Sequence, residues 1–297
     1  MTKPSRFKLY RLLKRGIAKS LDAFLLIIEQ PRKSRSELIE PATISHAKDI
    51  AILAAFDETR EEILKVVSAL SEAGYAILVI RNVDTIEGHY ENIGSHNIVN
   101  RKNVGFDIGA YRDAFQFIDS PSNLIFLNTS MYWDIEKLKK VAHRLRNNNS
   151  KNTVTYLTES LQGEKHGQSF FLHLNLDSAT LDNFESFMKI KTKNWRYKRS
   201  AVKYGEKAIF NYLNESDSIN IDFVYSYSLV SRTYLNLESE LTEDWIKRMI
   251  ELDVHLNPTQ HLWPALDFLG FPGFKKTLLK KNPANLRKLP KMNFEQT

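Results

Sequence analysis

Asn100–Ser130 reads NRKNVGFDIGAYRDAFQFIDSPSNLIFLNTS: a glycine-broken turn, then a helix, then an apolar strand that stops in three small polar residues. Gly105 stands where the chain must turn tightly, and Asp107 is a suitable N-cap for a helix carrying Ile108, Tyr111, Ala114, Phe115 and Ile118. Leu124–Leu127 is short and wholly apolar, as expected of a strand buried on both faces of a parallel sheet. Ligands of such sheets bind beyond the strand C-termini. That rule places a candidate site at Asn128, Thr129 and Ser130.

Upstream, Asp49–Phe56 reads as a first strand, and Glu58–Ala73 as a helix that turns Ile63, Val66, Val67 and Leu70 inward and stops at Gly74. A second strand, Tyr75–Ile80, runs into Arg81, Asn82, Val83 and Asp84, and a short one follows at His96–Val99. This is the element order of a nucleotide-binding α/β half, with right-handed crossovers expected. Downstream, the pattern predicts a helix over Asp134–Arg146, a strand over Thr153–Leu157, a loop to His166, a strand over Gly167–Leu174 and a helix over Asp177–Met188. Lys189–Lys203 is a basic loop interleaved with Trp195 and Tyr197, opening a helix at Glu206–Leu213. A strand at Asn220–Tyr225, helices at Thr242–Leu252 and Thr259–Leu269, and a basic tail from Phe274 complete the chain.

With 297 residues, 42% of them hydrophobic, the chain can bury a full core. No apolar run approaches the ~20 residues of a membrane span. The absence of cysteine excludes disulfides, thiolate nucleophiles and zinc–cysteine sites, and it suits a cytoplasmic location. A formal net charge of +7 favours a polyanionic partner. Basic and aromatic residues together can grip single-stranded nucleic acid, yet no nucleic-acid motif accompanies the Lys189–Lys203 loop, so nucleic acid is not the expected partner. Residues 1–46 form a separate piece. Phe7, Leu9, Leu12, Leu13, Ile17, Leu21, Phe24 and Leu25 recur at helical spacing among basic residues, and a polar linker follows from Gln30. Such a basic amphipathic helix either lies on anionic membrane at its inner face or docks on its own domain, here residues 47–297.

The order of these pieces resembles a GT-A glycosyltransferase, a Rossmann-related fold. The blocks Asn103–Asp113, Phe126–Tyr132, His166–Phe171 and Phe271–Pro283 are similar to those of the rhamnan synthesis F family of polysaccharide glycosyltransferases, as ordered blocks across Asp49–Pro283. The resemblance implies an α/β fold whose mixed, mostly parallel sheet is flanked by helices, with a helical C-terminal region. It also implies an activity: transfer of a sugar, rhamnose or another deoxyhexose, from a nucleoside diphosphate sugar to a surface polysaccharide or lipid-linked glycan. On it, Asn82, Asp84, Asn103, Gly105, Asp107, Arg112, Asn128, Thr129, Ser130 and Gln168 are donor contacts, and Glu206 or His166 is the base. These enzymes commonly hold Mg or Mn at a strand-end Asp-x-Asp, whereas this chain has Thr129 in the middle position. Hard cations prefer carboxylate oxygen. Either Asp107 and Asp134 hold the metal, or basic side chains neutralise the diphosphate, or the site has lost its activity.

Each assignment has a plain alternative. Asp107 can be only a cap, Arg112 only a surface arginine, and His166 only a structural histidine. Glu206 can merely complement the dipole of the helix it is expected to open, a role worth ~0.3–1 kcal/mol. The rival function is a non-catalytic glycan- or nucleotide-binding subunit that has lost the metal triplet. An acidic side chain close to Thr129 in space would argue against that rival.

Overall fold

The computed structural model describes residues 47–83, 97–119, 121–148, 150–193, 195, 197–287 and 289–290. The N-terminal piece, residues 1–46, and Asp84 lie outside the described residues. The centre of the molecule is an eight-stranded sheet ordered β3-β2-β1-β4-β8-β6-β7, with β9 paired to β6. Its strands are β1 (Asp49–Ala55), β2 (Ala76–Val83), β3 (Asn97–Lys102), β4 (Asn123–Asn128), β6 (Thr153–Ser160), β7 (His166–Gly167), β8 (Phe171–Asn175) and β9 (Asn220–Tyr225). The pairs β1–β2, β1–β4, β2–β3 and β6–β9 are parallel, and β8 runs antiparallel between β4 and β6. A separate ribbon pairs β5 (Met131–Trp133) with β10 (Gly273–Lys275) antiparallel.

Both faces of the sheet are covered, because alternate residues of each central strand are apolar in both directions. Ala51, Leu53 and Ala55 of β1 face the helices Arg60–Glu72 and Ile135–Arg146 and the C-terminal helices. Ile50, Ile52 and Ala54 face the helices Phe106–Ala114, Ser178–Lys191 and Lys207–Asn214. The result is an α/β sandwich with a mixed, mostly parallel sheet flanked by helices, as expected.

Local chemistry explains where the elements start. Thr59 and Glu62 form a reciprocal capping box on Arg60–Glu72: the Thr59 hydroxyl accepts from the Glu62 amide at 3.2 Å, and the Glu62 carboxylate accepts from the Thr59 amide at 2.9 Å. The helix after the central turn departs from expectation. Its N-cap is Gly105, at φ 77, and not Asp107, which lies in the first helical turn. The left-handed backbone there suits a residue without Cβ. The helix ends at Ala114, so Phe115 and Ile118 lie beyond it.

Further corrections concern the second half. The expected strand Gly167–Leu174 is two strands, β7 and β8, joined through Gln168–Phe170. Glu206 does not open a helix: it closes a π-helical turn, Val202–Glu206, within one helical run from Lys198 to Asn214. The expected helix Thr259–Leu269 is two, Pro258–His261 and Trp263–Phe268, since Pro264 lacks the amide that would carry the ladder on. A helix at Tyr227–Asn236, with Ser226 as its N-cap, went unforeseen. The expected basic tail is folded: β10 is followed by the helix Lys276–Lys281, and Phe271, Leu278 and Leu286 are core residues. Gly273 permits the ribbon crossing. At φ 156 its hypothetical Cβ would lie 2.2 Å from the Tyr132 carbonyl oxygen.

Candidate active site

The C-terminal end of β4 divides into two environments. Leu124 and Phe126 belong to one core layer and Ile125 and Leu127 to the other, so Asn128 and Thr129 leave the strand on opposite sides. Asn128 follows the layer of the helix Phe106–Ala114. Its Nδ2 donates to Asp107 Oδ2 at 2.7 Å, while its Oδ1 accepts from the Ser130 amide at 3.0 Å and hydroxyl at 2.6 Å. The Ser169 hydroxyl also donates to Asp107 Oδ2, at 3.0 Å. Ser169 is brought there by antiparallel pairing: Leu127 opposes Phe171, and the Asn128 amide donates to the Phe170 carbonyl at 3.1 Å. Asp107, Asn128 and Ser130 thus meet at the strand ends, and Thr129 does not join them.

Glu206 reaches the same place. Its Oε1 accepts from the Ser169 amide at 2.5 Å, and among the described residues its Oε2 accepts no hydrogen bond. Burial pushes the Glu206 carboxyl above the ordinary carboxylate range, opposed by the nearby His166 and the Ser169 amide. The dipole-favoured ionisation expected of a helix N-terminus therefore does not apply. His166 is buried, with Nδ1 against the Glu164 carbonyl oxygen at 2.8 Å, and it is an electrostatic neighbour of Glu206. Tyr111 closes the wall: its hydroxyl donates to the Ser169 carbonyl at 3.1 Å, and burial, then the Asp107 charge, raise its pKa.

Lys275 of β10 also faces this cluster. Its Nζ lies 4.7 Å from the Phe170 ring centroid, and burial lowers its pKa against the pull of Glu206 and Asp107. Neither Lys275 nor Ser169 was singled out by sequence. The signal for both lay in the family-like blocks Phe271–Pro283 and His166–Phe171.

Other predicted contacts are occupied elsewhere. Asn82 is buried, donating to the Ala55 carbonyl at 3.3 Å and accepting from Arg101 Nη1 at 2.5 Å. Arg112 holds Asp113 at 2.6 Å and the Thr192 carbonyl at 3.3 Å. Gln168 accepts from the Thr158 hydroxyl at 2.8 Å. The Asn103 amide donates to the Val83 carbonyl, bridging the end of β2 to the central turn.

Thr129 turns to the opposite side. Its hydroxyl donates to Glu58 Oε2 at 2.5 Å, and Glu58 also accepts from the Phe56 amide at 2.7 Å and from Lys276 Nζ at 2.8 Å. An acidic side chain does stand beside Thr129, supplied by the loop after β1. It sits on the floor of a cleft of about 810 Å³, within the ordinary range for small-molecule sites. Tyr132, Trp133, Trp263, Phe268 and Phe274 are among its lining residues. Phe274 and Lys276 line this cleft and Lys275 between them is close to Glu206, so the β5–β10 ribbon borders both the cleft and the carboxylate cluster.

The two carboxylates that the resemblance offers a divalent cation, Asp107 and Asp134, each already accept internal hydrogen bonds. Among the described residues no group of three or more His, Asp or Glu side chains is placed to hold a metal ion. Asp107 already accepts from Asn128 and Ser169. Asp134, the other candidate, caps the helix Ile135–Arg146 by accepting from the Lys137 amide at 3.0 Å and lines the cleft across the ribbon. Asp107 and Asp134 thus stand in different environments.

Among the described residues no helix is long and apolar enough to cross a membrane. No family model matches the chain, so the likeness to the rhamnan synthesis F family rests on its residue blocks. The chain is similar to virulence protein VirA of Vibrio anguillarum, 24% identical over 208 residues that make up 65% of each chain. It is also similar to the uncharacterized protein y4gN of Sinorhizobium fredii, 23% identical over 165 residues, which cover 52% of this chain and 43% of that one. The chain therefore spans less than two thirds of the length of these relatives. Among solved structures, the glycosyltransferase GlyE of Streptococcus pneumoniae covers 73% of this chain and 53% of its own at 10% identity, with a TM-score of 0.37, too low for the likeness to bear on function.

Proposed function

We propose that the chain is a glycosyltransferase that moves a sugar from a nucleoside diphosphate sugar to a glycan acceptor. The observation that carries this reading is the convergence of Asp107, Asn128, Ser169 and Glu206 at the C-terminal ends of parallel strands, where such sheets bind nucleotides. Glu206 has one oxygen fixed by the Ser169 amide and the other available as proton acceptor, and a carboxylate with a raised pKa suits general base work near neutral pH. In the proposed reaction the acceptor hydroxyl gives its proton to Glu206 Oε2, and its oxygen bonds to the anomeric carbon. The bond from that carbon to the diphosphate breaks, and the nucleoside diphosphate leaves with the electron pair.

The finer reading is a rhamnose or other deoxyhexose donor and a surface polysaccharide or lipid-linked acceptor at the inner face of the membrane; it rests on the family-like blocks. The aromatic cleft across the ribbon supports an acceptor with sugar rings, which stack on indole and phenyl faces. Transfer or hydrolysis assayed over a panel of nucleotide sugars tests the proposal. Release of nucleoside diphosphate from one donor class by the wild type, lost in Glu206→Gln, is the expected result. Absence of any release beside intact nucleotide-sugar binding would favour the non-catalytic binding subunit.

A further inference from the structure

Building on that reading, we infer that Lys275, with Lys198 at the rim, supplies the positive charge that holds and neutralises the leaving diphosphate, in place of a divalent cation. Three observations support it. First, β10 places Lys275 opposite Met131 and therefore just past the strand-end triplet, with the Lys276 amide donating to the Ser130 carbonyl at 3.0 Å. Secondly, Lys275 and Lys198 are electrostatic neighbours that repel each other. Thirdly, among the described residues neither ammonium has a carboxylate within ion-pair distance: Glu58 is taken by Lys276 and Glu159 by Lys165. Glu206 and Asp107 act on Lys275 from farther away.

A half-buried ammonium without a bonded counter-ion, here Lys275, is a costly arrangement, and an anion from outside relieves it. Burial favours the neutral amine of Lys275, and a bound dianion would restore its charge. The Phe170 ring beneath Nζ is compatible with a cation and offers no competing hydrogen bond. A lysine is an established point-charge partner for phosphate oxygen and, as the diphosphate departs, stabilises the charge that develops on it. Both Asp107 oxygens accept from internal donors, and in this reading the free oxygen of Glu206 takes the acceptor's proton, which leaves Lys275 to meet the diphosphate.

The test is calorimetric titration of the full chain with UDP, GDP and dTDP, in EDTA and again with added Mg or Mn. At least one diphosphate is expected to bind in EDTA, and to bind more weakly as salt rises. Lys275→Gln should weaken it about ten- to a hundredfold, the worth of a charged hydrogen bond, and Lys275→Arg should recover part of the loss. If Lys275→Gln does not fold, the exposed Lys198→Gln carries the test, with a several-fold loss expected and an unchanged affinity overturning the inference. Binding that needs Mg or Mn and is indifferent to Lys275→Gln would overturn the inference and leave the glycosyltransferase reading standing. Failure of the wild type to bind any diphosphate, with or without metal, would overturn both.

Discussion

Glu206 is asked to do two opposed things. It is half-buried against the Ser169 amide, where its charge is disfavoured, and it has to be ionised to accept a proton. Its folded pKa is raised above the ordinary 4.5, so the folded state holds a proton that the unfolded chain has already released. Stability is therefore lost as pH rises from about 4.5 through the raised value. Glu206→Gln keeps an oxygen for the Ser169 amide and has no charge to bury. It is expected to melt at a higher temperature than wild type at neutral pH, with the difference shrinking as pH falls towards 4.5, while turnover drops about 10²–10⁴-fold. Melting curves across that pH range alongside single-turnover assays check both halves. A variant less stable than wild type at pH 8 would mean that the carboxylate's charge is favoured where it sits.

At the scale of the element, β8 carries an acid-sensitive weakness. His173 is buried in that strand, neither ring nitrogen has a hydrogen-bond partner among the described residues, and burial lowers its pKa to about 4, against a weaker opposing effect from Asp49. A depressed histidine contributes stability that is present above its ordinary 6.5 and is lost as pH falls through 4, in all about 3 kcal/mol. His173→Leu should leave stability at pH 7.5 unchanged or raised, because no unpaired polar atom remains. It should also flatten the decline between pH 6.5 and 4. Urea unfolding at pH 7.5 and pH 5 measures the effect, and an equally steep decline in the variant would place the acid sensitivity elsewhere.

For the molecule as a whole, the β5–β10 ribbon joins the strand-end site to the C-terminal region. Trp263, Phe268 and Phe274 arrive there from distant segments and line the cleft with Tyr132 and Trp133. If this cleft holds acceptor sugar rings, Trp263→Ala should raise the acceptor KM severalfold and leave nucleoside diphosphate affinity within twofold of wild type. Stacking on an aromatic face is worth about 0.5–1.5 kcal/mol, which sets that scale. Initial rates over an acceptor series, with calorimetry on the diphosphate, separate the two effects. Equal loss of both would mean that the indole supports the fold and not the acceptor.

The sequence by itself determined the order of strands and helices along the first half, and it pointed to the polar end of the Leu124–Leu127 strand as the candidate site. Strands such as Leu124–Leu127 are apolar on both faces and their ends are polar, and these are local properties of consecutive residues. It singled out Asp107, the Asn128–Ser130 triplet and Glu206 as candidates. It could not supply their partners. Glu58 meets Thr129 across 71 positions, and Lys276 meets Glu58 across 218, through pairings that no periodicity encodes. Gly167 reads as an ordinary strand start, yet a Cβ there would lie 2.1 Å from the ring of Tyr156, a neighbour given only by the packing of β6 and β7. Only the tertiary structure turned Glu206 from a helix opener into a half-buried carboxylate. A π-helical turn and the ionisation state of a side chain depend on what packs against them, and sequence spacing carries no record of that.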